Sequence, residues 1–305
     1  MENFNIDSFL NVPLDELIPQ ANKTRKKFIG DKMDLCSIVN AKSGRCSENC
    51  KFCAQSLKHN TGVPSYPLLD NEKILQSAIK AKEIGAERFG IVTSGRKPAG
   101  KDVDRIARAI NDVRKKTGLS VCASLGSMEK DTLRLLKDAG LSRYHHNIET
   151  SRGYYKNVVS THTFEERLKT IENVKNTGLE ACSGGILGMG EGWKDRFDMA
   201  RTLKNMDVDS VPVNFLIPIK GTPFESLQSI SPYDAIRAIC MFRLILKNKS
   251  IKIAAGRETI LKDFQALGFL SGANGMLIGG YLTVKGRSVE EDHLLIKEIK
   301  KLWDG

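Results

Sequence analysis

Short apolar runs alternate with amphipathic segments along most of the chain, and many of the amphipathic segments end at a glycine. The apolar runs are brief and rich in β-branched residues, which is typical of strands buried in a parallel sheet. They predict eight strands, over residues 35–41, 88–94, 119–125, 142–148, 179–185, 210–216, 251–256 and 275–280.

The segments between these runs carry helix signals. One helix is predicted to start at Asp70 and to stop at Gly85, and another to start at the capping box formed by Thr163 and Glu166. Residues 231–246 and 288–303 have similar patterns. Eight strands with a helix after each predict an α/β fold of the (β/α)8 TIM barrel type. A doubly wound open sheet is the alternative, because periodicity does not separate a closed sheet from an open one.

The length of 305 residues suits one large domain, taken here as residues 1–305 with an N-terminal helical extension over about residues 1–34. The first residues lack a basic stretch followed by an apolar one, so no signal peptide is expected. No apolar run has the length of a membrane span. The expected location is therefore the cytoplasm, without a membrane partner, where the seven cysteines stay reduced.

The net charge of +11 raises the question of an anionic partner. The lysines are spread along helical segments, often beside acids, and aromatic residues make up only 7% of the chain. A solvated lysine-rich surface explains this pattern better than a nucleic-acid site, so no nucleic acid is expected as a partner. The field still favours a small anionic substrate.

Three cysteines, Cys46, Cys50 and Cys53, follow directly after the first predicted strand with the spacing C-x3-C-x2-C. The carboxyl ends of parallel strands are where an active site is expected. Three thiolates on a [4Fe–4S] cluster would leave one iron open to a small chelating molecule. A zinc site completed by a distant residue, or buried cysteines without a ligand, are the alternatives.

The triplet with Phe52 before its last cysteine resembles the signature of radical S-adenosylmethionine (SAM) enzymes. Further segments resemble the biotin synthase family in order and spacing, namely YHHNIETS (144–151), ACSGGILGMGE (181–191), SVPVNFLIPIKGTP (210–223), AAGRE (254–258) and LSGAN (270–274). The resemblance covers nearly the whole chain and implies a (β/α)8 barrel. It also implies a radical SAM sulfurtransferase that converts dethiobiotin to biotin.

In that family, SAM is chelated by the open iron and is cleaved to a 5′-deoxyadenosyl radical, which takes hydrogen from dethiobiotin. The resemblance implies that Cys46, Cys50 and Cys53 hold this cluster and are the catalytic cysteines. It implies a reductant such as flavodoxin or ferredoxin, and a homodimer. A second, auxiliary Fe–S cluster donates the sulfur.

The auxiliary cluster of the family has three cysteine ligands and one arginine ligand. By resemblance, Cys122, Cys182 and Arg257 match three of these positions, but Gly90 stands where the family has the remaining cysteine. Cys36 opens the neighbouring first strand and is predicted to replace it. The cluster is then either [2Fe–2S] or a larger four-iron cluster, and Arg257 is either one of its ligands or a neighbour of it. Cys240, on a predicted outer helix, is expected to pack against the barrel.

The resemblance also implies the binding residues. Those expected to contact SAM are Phe52, His146, Asn147, Glu149, Ser183, Gly184, Gly185 and Ile186. Asn147, Asn214 and Thr283 are expected to bind dethiobiotin, since an amide offers both a donor and an acceptor to a urea group.

Two other interpretations stay open on the sequence. One is a related barrel radical SAM enzyme acting on another small molecule, which the glycine at position 90 favours. The other is a non-catalytic iron–sulfur or zinc module that binds nucleic acid through its positive charge. Metal analysis of anaerobically purified protein separates them, because zinc without iron would reject both enzyme interpretations.

Overall fold

A computed structural model describes residues 5–282 and 286–304. Its centre is one sheet in which every neighbouring pair of strands is parallel. The strands are β1 (Asp34–Lys42), β2 (Arg88–Thr93), β3 (Ser120–Ser124), β4 (Leu141–His145), β5 (Glu180–Cys182), β6 (Gly185–Leu187), β7 (Ser210–Phe215), β8 (Ser250–Ile253) and β9 (Gly275–Leu277). The sheet closes because β9 pairs with β1 and β5 pairs with β7. The predicted barrel is confirmed, and the open sheet is excluded.

Nine segments make eight barrel strands because β5 and β6 are two parts of one strand, interrupted at Ser183 and Gly184. A Cβ on Gly184 would lie 1.9 Å from the carbonyl oxygen of Pro212, and one on Gly185 would lie 2.3 Å from that of Glu149. The two glycines therefore let this strand approach its neighbours closely. The continuous strand predicted over 179–185 is corrected to this interrupted one.

Helices on the outside follow the barrel strands. They are α3 (Asn71–Glu83), α4 (Gly100–Thr117), α5 (Lys130–Asp138), α6 (Phe164–Asn176), α7 (Trp193–Asn205), α8 (Pro232–Leu246), α9 (Arg257–Leu261), α10 (Gln265–Leu270) and α11 (Val289–Asp304). The predicted start signals are confirmed: the Asp70 side chain accepts from the Lys73 amide, and Thr163 and Glu166 form a reciprocal capping box.

Before the barrel, α1 (Ile6–Asn11) and α2 (Leu14–Ile29) form the helical N-terminal segment, and α2 packs against α8 and α10. The Arg25 guanidinium is buried and lies 3.8 Å from the centre of the Trp303 ring on α11. This stacking connects the two ends of the chain. That residues 1–305 form a single domain stays a prediction. Within the described part of the chain, no helix is long and apolar enough to cross a membrane.

The strands direct apolar and polar side chains to opposite sides of the barrel wall. Phe89, Ile91 and Val121 are buried in the core between strands and helices. Arg88, Gly90 and Cys122, the alternate residues of the same strands, line a cavity inside the barrel. This alternation places the charged and thiol groups of β2 and β3 in the barrel interior, where the site lies.

Candidate active site

The cysteine triplet lies in the long loop between β1 and α3, at the carboxyl end of the barrel strands. Backbone hydrogen bonds fold this loop on itself: Cys46 donates to the Gln55 carbonyl at 3.0 Å, and Cys53 donates to the Cys50 carbonyl at 2.9 Å. Ser56 Oγ donates to the Glu48 carbonyl at 2.6 Å. The local spacing and these bonds bring all three cysteines to one rim, as the sequence predicted.

Burial disfavours the thiolate form of two cysteines of the triplet in the metal-free protein. It raises the pKa of Cys50 to about 12 and that of Cys53 to about 11. Bound iron would reverse this preference by stabilising the thiolates directly. Among residues 5–282 and 286–304, no group of three or more His, Cys, Asp or Glu side chains could hold a single metal ion.

A cavity of about 230 Å³ lies beside the triplet and is lined by all three cysteines. His146, Asn147 and Glu149, which follow β4, form part of its wall. Phe52 lines this cavity and also the larger one below.

The His146 Nε2 atom is buried without a hydrogen-bond partner among the described residues. Burial lowers the pKa of His146 well below its usual value, so the ring is neutral. An unpartnered polar atom in the wall of this cavity is consistent with a polar ligand there.

Glu149 is held firmly in place. Its backbone has the unusual φ of +67°, and its amide donates to the Gly184 carbonyl at 3.2 Å. The Arg167 guanidinium lies 3.5 Å from its carboxylate, and Asn147 Nδ2 donates to the other carboxylate oxygen at 3.3 Å. Arg167 also donates to the Asn147 carbonyl at 2.8 Å. The carboxylate is thus fixed at the cavity wall while keeping free lone pairs.

The glycine-rich segment contributes less to the cavities than the sequence suggested. Ile186 lines the larger cavity. Ser183 is fully buried, and its hydroxyl has no partner among the described residues. Gly184 and Gly185 approach Pro212 and Glu149 instead of an open space. None of these three residues is among those that line the two cavities, and their expected contacts with SAM stay a prediction.

The larger cavity, of about 350 Å³, occupies the barrel interior below the triplet. Cys36, Cys122 and Cys182 line it from β1, β3 and β5. Lys252 lines it from β8, which is the seventh barrel strand. The four side chains come from alternate strands, the arrangement by which TIM barrels fill an interior layer. They are called the deep layer below.

Lys252 connects the deep layer to a group of buried charges. Its Nζ donates to Cys36 Sγ at 2.6 Å and lies 3.0 Å from the Asp34 carboxylate. Arg143 lies 3.4 Å from the same Asp34 carboxylate oxygen and bonds Glu180 at 2.7 Å. Although burial opposes ionisation, Lys252 and Arg143 lower the pKa of Asp34 to about 2. Together with Arg88, these cations surround the cysteines with positive charge.

Cys182 is the most acidic of the three deep thiols. Burial alone would raise its pKa, but His145, whose Nδ1 is 3.3 Å from the sulfur, and Arg143 bring it down to about 7. Cys122 has no such partner, and burial raises its pKa to about 12. Burial likewise raises the pKa of Cys36 in spite of Lys252. His145, which the sequence analysis did not assign, thus stabilises a thiolate.

The surroundings of Gly90 explain the absence of a side chain there. In the sheet, Gly90 lies between Ile38 on β1 and Cys122 on β3. A Cβ at Gly90 would lie 3.0 Å from the Ile38 side chain. Cys36 lies two residues below Ile38, opposite Arg88, and faces the same cavity. Ile38 therefore takes the space beside Gly90, and Cys36 supplies its thiol one layer deeper.

Arg257 does not join the cysteines, so of the two roles left open for it, ligand or neighbour of the auxiliary cluster, its position does not fit a ligand. It lies at the start of α9, where its guanidinium bonds Asp292 at 2.6 Å and Gln265, and is 3.3 Å from Glu258. These contacts tie α9 to α10 and α11 outside the deep layer. The side chain that occupies the expected place among the cysteines is Lys252, five residues earlier.

The remaining assigned residues are placed as follows. Asn214 lines the larger cavity, and its amide bonds the Gly185 carbonyl and the Ala255 amide, each at 3.1 Å. One Nδ2 hydrogen and one Oδ1 lone pair remain for a ligand. Cys240 is buried in the core on α8, as predicted. Thr283 lies outside the described residues.

The sequence analysis missed Lys252, Arg143 and His145, yet a signal was present. Lys252 and Arg143 are charged residues within short strands and are flanked there by Ile251 and Ile253 and by Tyr144. With a period of two, their neighbours Ile251 and Tyr144 face the core, so the charges had to face the barrel interior. A buried charge at such a position indicates a functional site more often than a packing role.

Models of two protein families match the chain. The Radical SAM superfamily matches residues 41–203, and the Biotin and Thiamin Synthesis associated domain matches residues 212–300. The first runs from the last residues of β1 into α7, and the second runs from within β7 through most of α11. The closed barrel is therefore built from both matched regions.

Relatives named biotin synthase are similar over most of the chain. The protein from Thermotoga petrophila is 54% identical over 97% of this chain and 98% of its own length. That from Thermotoga neapolitana is 57% identical over 89% of this chain and 97% of its own. Among solved structures, methylornithine synthase has a TM-score of 0.82 at 20% identity, covering 97% of this chain and 91% of its own. The last likeness concerns the fold alone.

Proposed function

The chain belongs to the biotin synthase family of the radical SAM superfamily, and from this premise we propose that it converts dethiobiotin to biotin by radical sulfur insertion. One observation carries the proposal. Two sets of three cysteines, one in the loop at the rim and one in the deep layer, face adjoining cavities of a single closed barrel. A radical generator and a sulfur donor can therefore act on one enclosed substrate.

The residues present fit the family's two iron–sulfur groups. Cys46, Cys50 and Cys53 would hold a [4Fe–4S] cluster with one iron open to SAM, beside the unpartnered His146. Cys36, Cys122 and Cys182 would hold the auxiliary cluster, whose negative charge the surrounding cations would balance. When bound, these groups supply one-electron cleavage of SAM and a sulfur atom.

Lys252 takes the fourth place of the deep layer in this proposal. A primary amine that donates to Cys36 and is paired with Asp34 balances charge there, and three thiolates remain as protein ligands. The auxiliary group is then [2Fe–2S] or a larger four-iron cluster.

The other assigned residues orient the two small molecules. Glu149 would accept hydrogen bonds from the ribose hydroxyls of SAM, because Arg167 and Asn147 fix its carboxylate at the cavity wall. Asn147 and Asn214 would bind the ureido group of dethiobiotin, the latter with its remaining donor and acceptor. The closed barrel wall and its apolar lining would exclude water from the radical.

Three further elements rest on the family and on general physiology. A reductant such as flavodoxin or ferredoxin would deliver electrons, and the protein would act as a homodimer in the cytoplasm, where its thiols stay reduced. Sedimentation of the anaerobic protein tests the homodimer, and a single monomeric species would contradict it.

The proposed reaction is tested by anaerobic reconstitution followed by turnover with dethiobiotin and mass-spectrometric detection of biotin. We expect biotin that carries sulfur from the protein's own auxiliary group, because the substrate and SAM contain no transferable sulfide. Cleavage of SAM to 5′-deoxyadenosine without any biotin would overturn the assignment of the substrate.

A further inference from the structure

Positive charge is concentrated on the outer surface that covers the loop cysteines. Three segments at the carboxyl end of the barrel, residues 43–69, 150–162 and 216–230, contain six Lys or Arg residues and two Asp or Glu residues. The two acids are engaged: Glu48 is buried and bonds His162 at 2.5 Å, and Glu225 accepts from the Gly221 amide at 2.6 Å. The surface therefore presents an excess of cations.

Five of the six cations have no acidic partner among the described residues. The exception is Arg152, which pairs with Glu165. The others, called the basic surface below, are Arg45, Lys51, Lys58, Lys156 and Lys220. Elsewhere many cations of the described chain are paired, as Arg96 is with Glu166. Unpaired like charges around one site repel one another, so an anionic partner would relieve a local cost.

The three segments touch one another. The Lys51 amide donates to the Val158 carbonyl at 2.9 Å, and the Lys51 ammonium lies 6.0 Å from the centre of the Phe224 ring. A Cβ on Gly221 would lie 2.0 Å from the Asn60 carbonyl oxygen. The three loops that carry the basic surface are therefore in contact with one another.

The basic surface also provides a short path to the cysteines. Leu57 is 61% exposed, and its amide donates to the Cys46 carbonyl at 2.8 Å. His59 Nδ1 lies 2.9 Å from the Cys53 carbonyl oxygen. One exposed apolar side chain beside unpaired cations is a common composition for a weak and transient protein contact. Here that contact would lie directly over the site that must receive electrons.

We propose that the basic surface docks an acidic one-electron carrier protein, with Leu57 near the centre of the contact. The inference rests on the proposed function, since only radical SAM chemistry requires an electron at the loop cysteines. In each encounter the carrier would lose one electron and the loop site would gain it, with no bond made or broken. Charge attraction would raise the association rate more than the final affinity.

The test compares two double substitutions with the same change in charge. K58E/K156E alters the basic surface, whereas K297E/K300E alters exposed, unpaired lysines in the C-terminal half of α11. Flavodoxin is the probe. Its dissociation constant is measured by calorimetry at low and at high salt, and SAM cleavage is driven either by reduced flavodoxin or by dithionite.

We expect K58E/K156E to weaken flavodoxin binding about tenfold or more at low salt and to reduce the salt dependence, as for other electrostatic contacts. Flavodoxin-driven SAM cleavage should fall similarly, while dithionite-driven cleavage should stay within about twofold, because dithionite needs no docking. K297E/K300E should change none of these values. Equal effects of both variants, or binding of an RNA homopolymer but not of flavodoxin, would overturn the proposal. Absence of dithionite-driven cleavage in the unaltered protein would instead contradict the proposed function.

Discussion

The loop that carries Cys46, Cys50 and Cys53 and the barrel layer that carries Cys36, Cys122 and Cys182 present the same ligand set in opposite ways. The loop cysteines lie within eight consecutive residues of one segment, which folds on itself and also bonds residues 158–162. The deep cysteines come from three strands and lie among buried ion pairs that also join the strands. Changes to the loop cysteines should therefore affect activity without affecting the fold. Changes in the deep layer should affect both activity and stability.

This difference has a physical cause. A loop can be rearranged with little loss of buried surface, so it can open to exchange SAM and receive electrons. Side chains inside a closed barrel are fixed by packing on all sides, and their charges are strong because water is excluded. The predictions below test whether the two regions separate in this way, in order of decreasing effect.

Replacing Cys50 by alanine should have the largest effect. Without the three-thiolate set we expect SAM cleavage to fall about a thousandfold or more. The deep cysteines should keep their iron, since they share no ligand with the loop. Iron and sulfide analysis with Mössbauer spectroscopy checks this, and loss of both iron sites would show that the regions are not separable.

The Cys36→Ala variant tests the deep layer. We expect biotin formation to fall about a hundredfold or more, together with loss of auxiliary iron and sulfide, while SAM cleavage continues. Cys240→Ala is the matched control, because Cys240 is also buried but lies on α8. Unchanged auxiliary iron in Cys36→Ala would refute the assignment of this cysteine.

Lys252→Met should affect stability as well as function. Methionine has about the same side-chain length as lysine but no charge. The substitution therefore leaves Asp34 with Arg143 and Arg88 as its only cationic partners among the described residues. We expect the metal-free protein to lose about 3 kcal/mol of unfolding free energy, the lower end of the cost of removing one partner of a buried ion pair, because Asp34 keeps two other cations. Denaturant unfolding measures this. Lys252→Arg should lose less, and no difference between the two variants would speak against a role for the charge.

Ser56→Ala should have the smallest effect. It removes the hydroxyl that donates to the Glu48 carbonyl at 2.6 Å and accepts from the Lys58 amide at 3.1 Å. We expect about 1 kcal/mol of local destabilisation. Loop iron should therefore be lost to a chelator about fivefold faster, with global unfolding almost unchanged. A large drop in global stability would mean that the loop is part of the folding core.

Much of the fold followed from the sequence because its signals are local. Asp70 and Thr163 were expected to start α3 and α6, and both cap the helices as predicted. The pattern of apolar residues was less informative where close contact with a neighbouring part of the barrel determines whether a strand continues. The run over 179–185 has the composition of a strand, but contacts of Gly184 and Gly185 with neighbouring strands interrupt it.

The sequence by itself determined the loop site, since Cys46, Cys50 and Cys53 are near one another in any compact conformation of so short a segment. Only the tertiary structure decided the deep layer. Cys36 and Lys252 are 216 positions apart along the chain, and closure of the barrel brings their side chains to 2.6 Å. Arg257, five residues from Lys252, is directed away to Asp292. Lys252 joins the cysteines because it lies within β8 and faces the barrel interior, whereas Arg257 lies beyond the end of that strand. Pairing with the neighbouring strands decides where β8 ends and which of its side chains face inward.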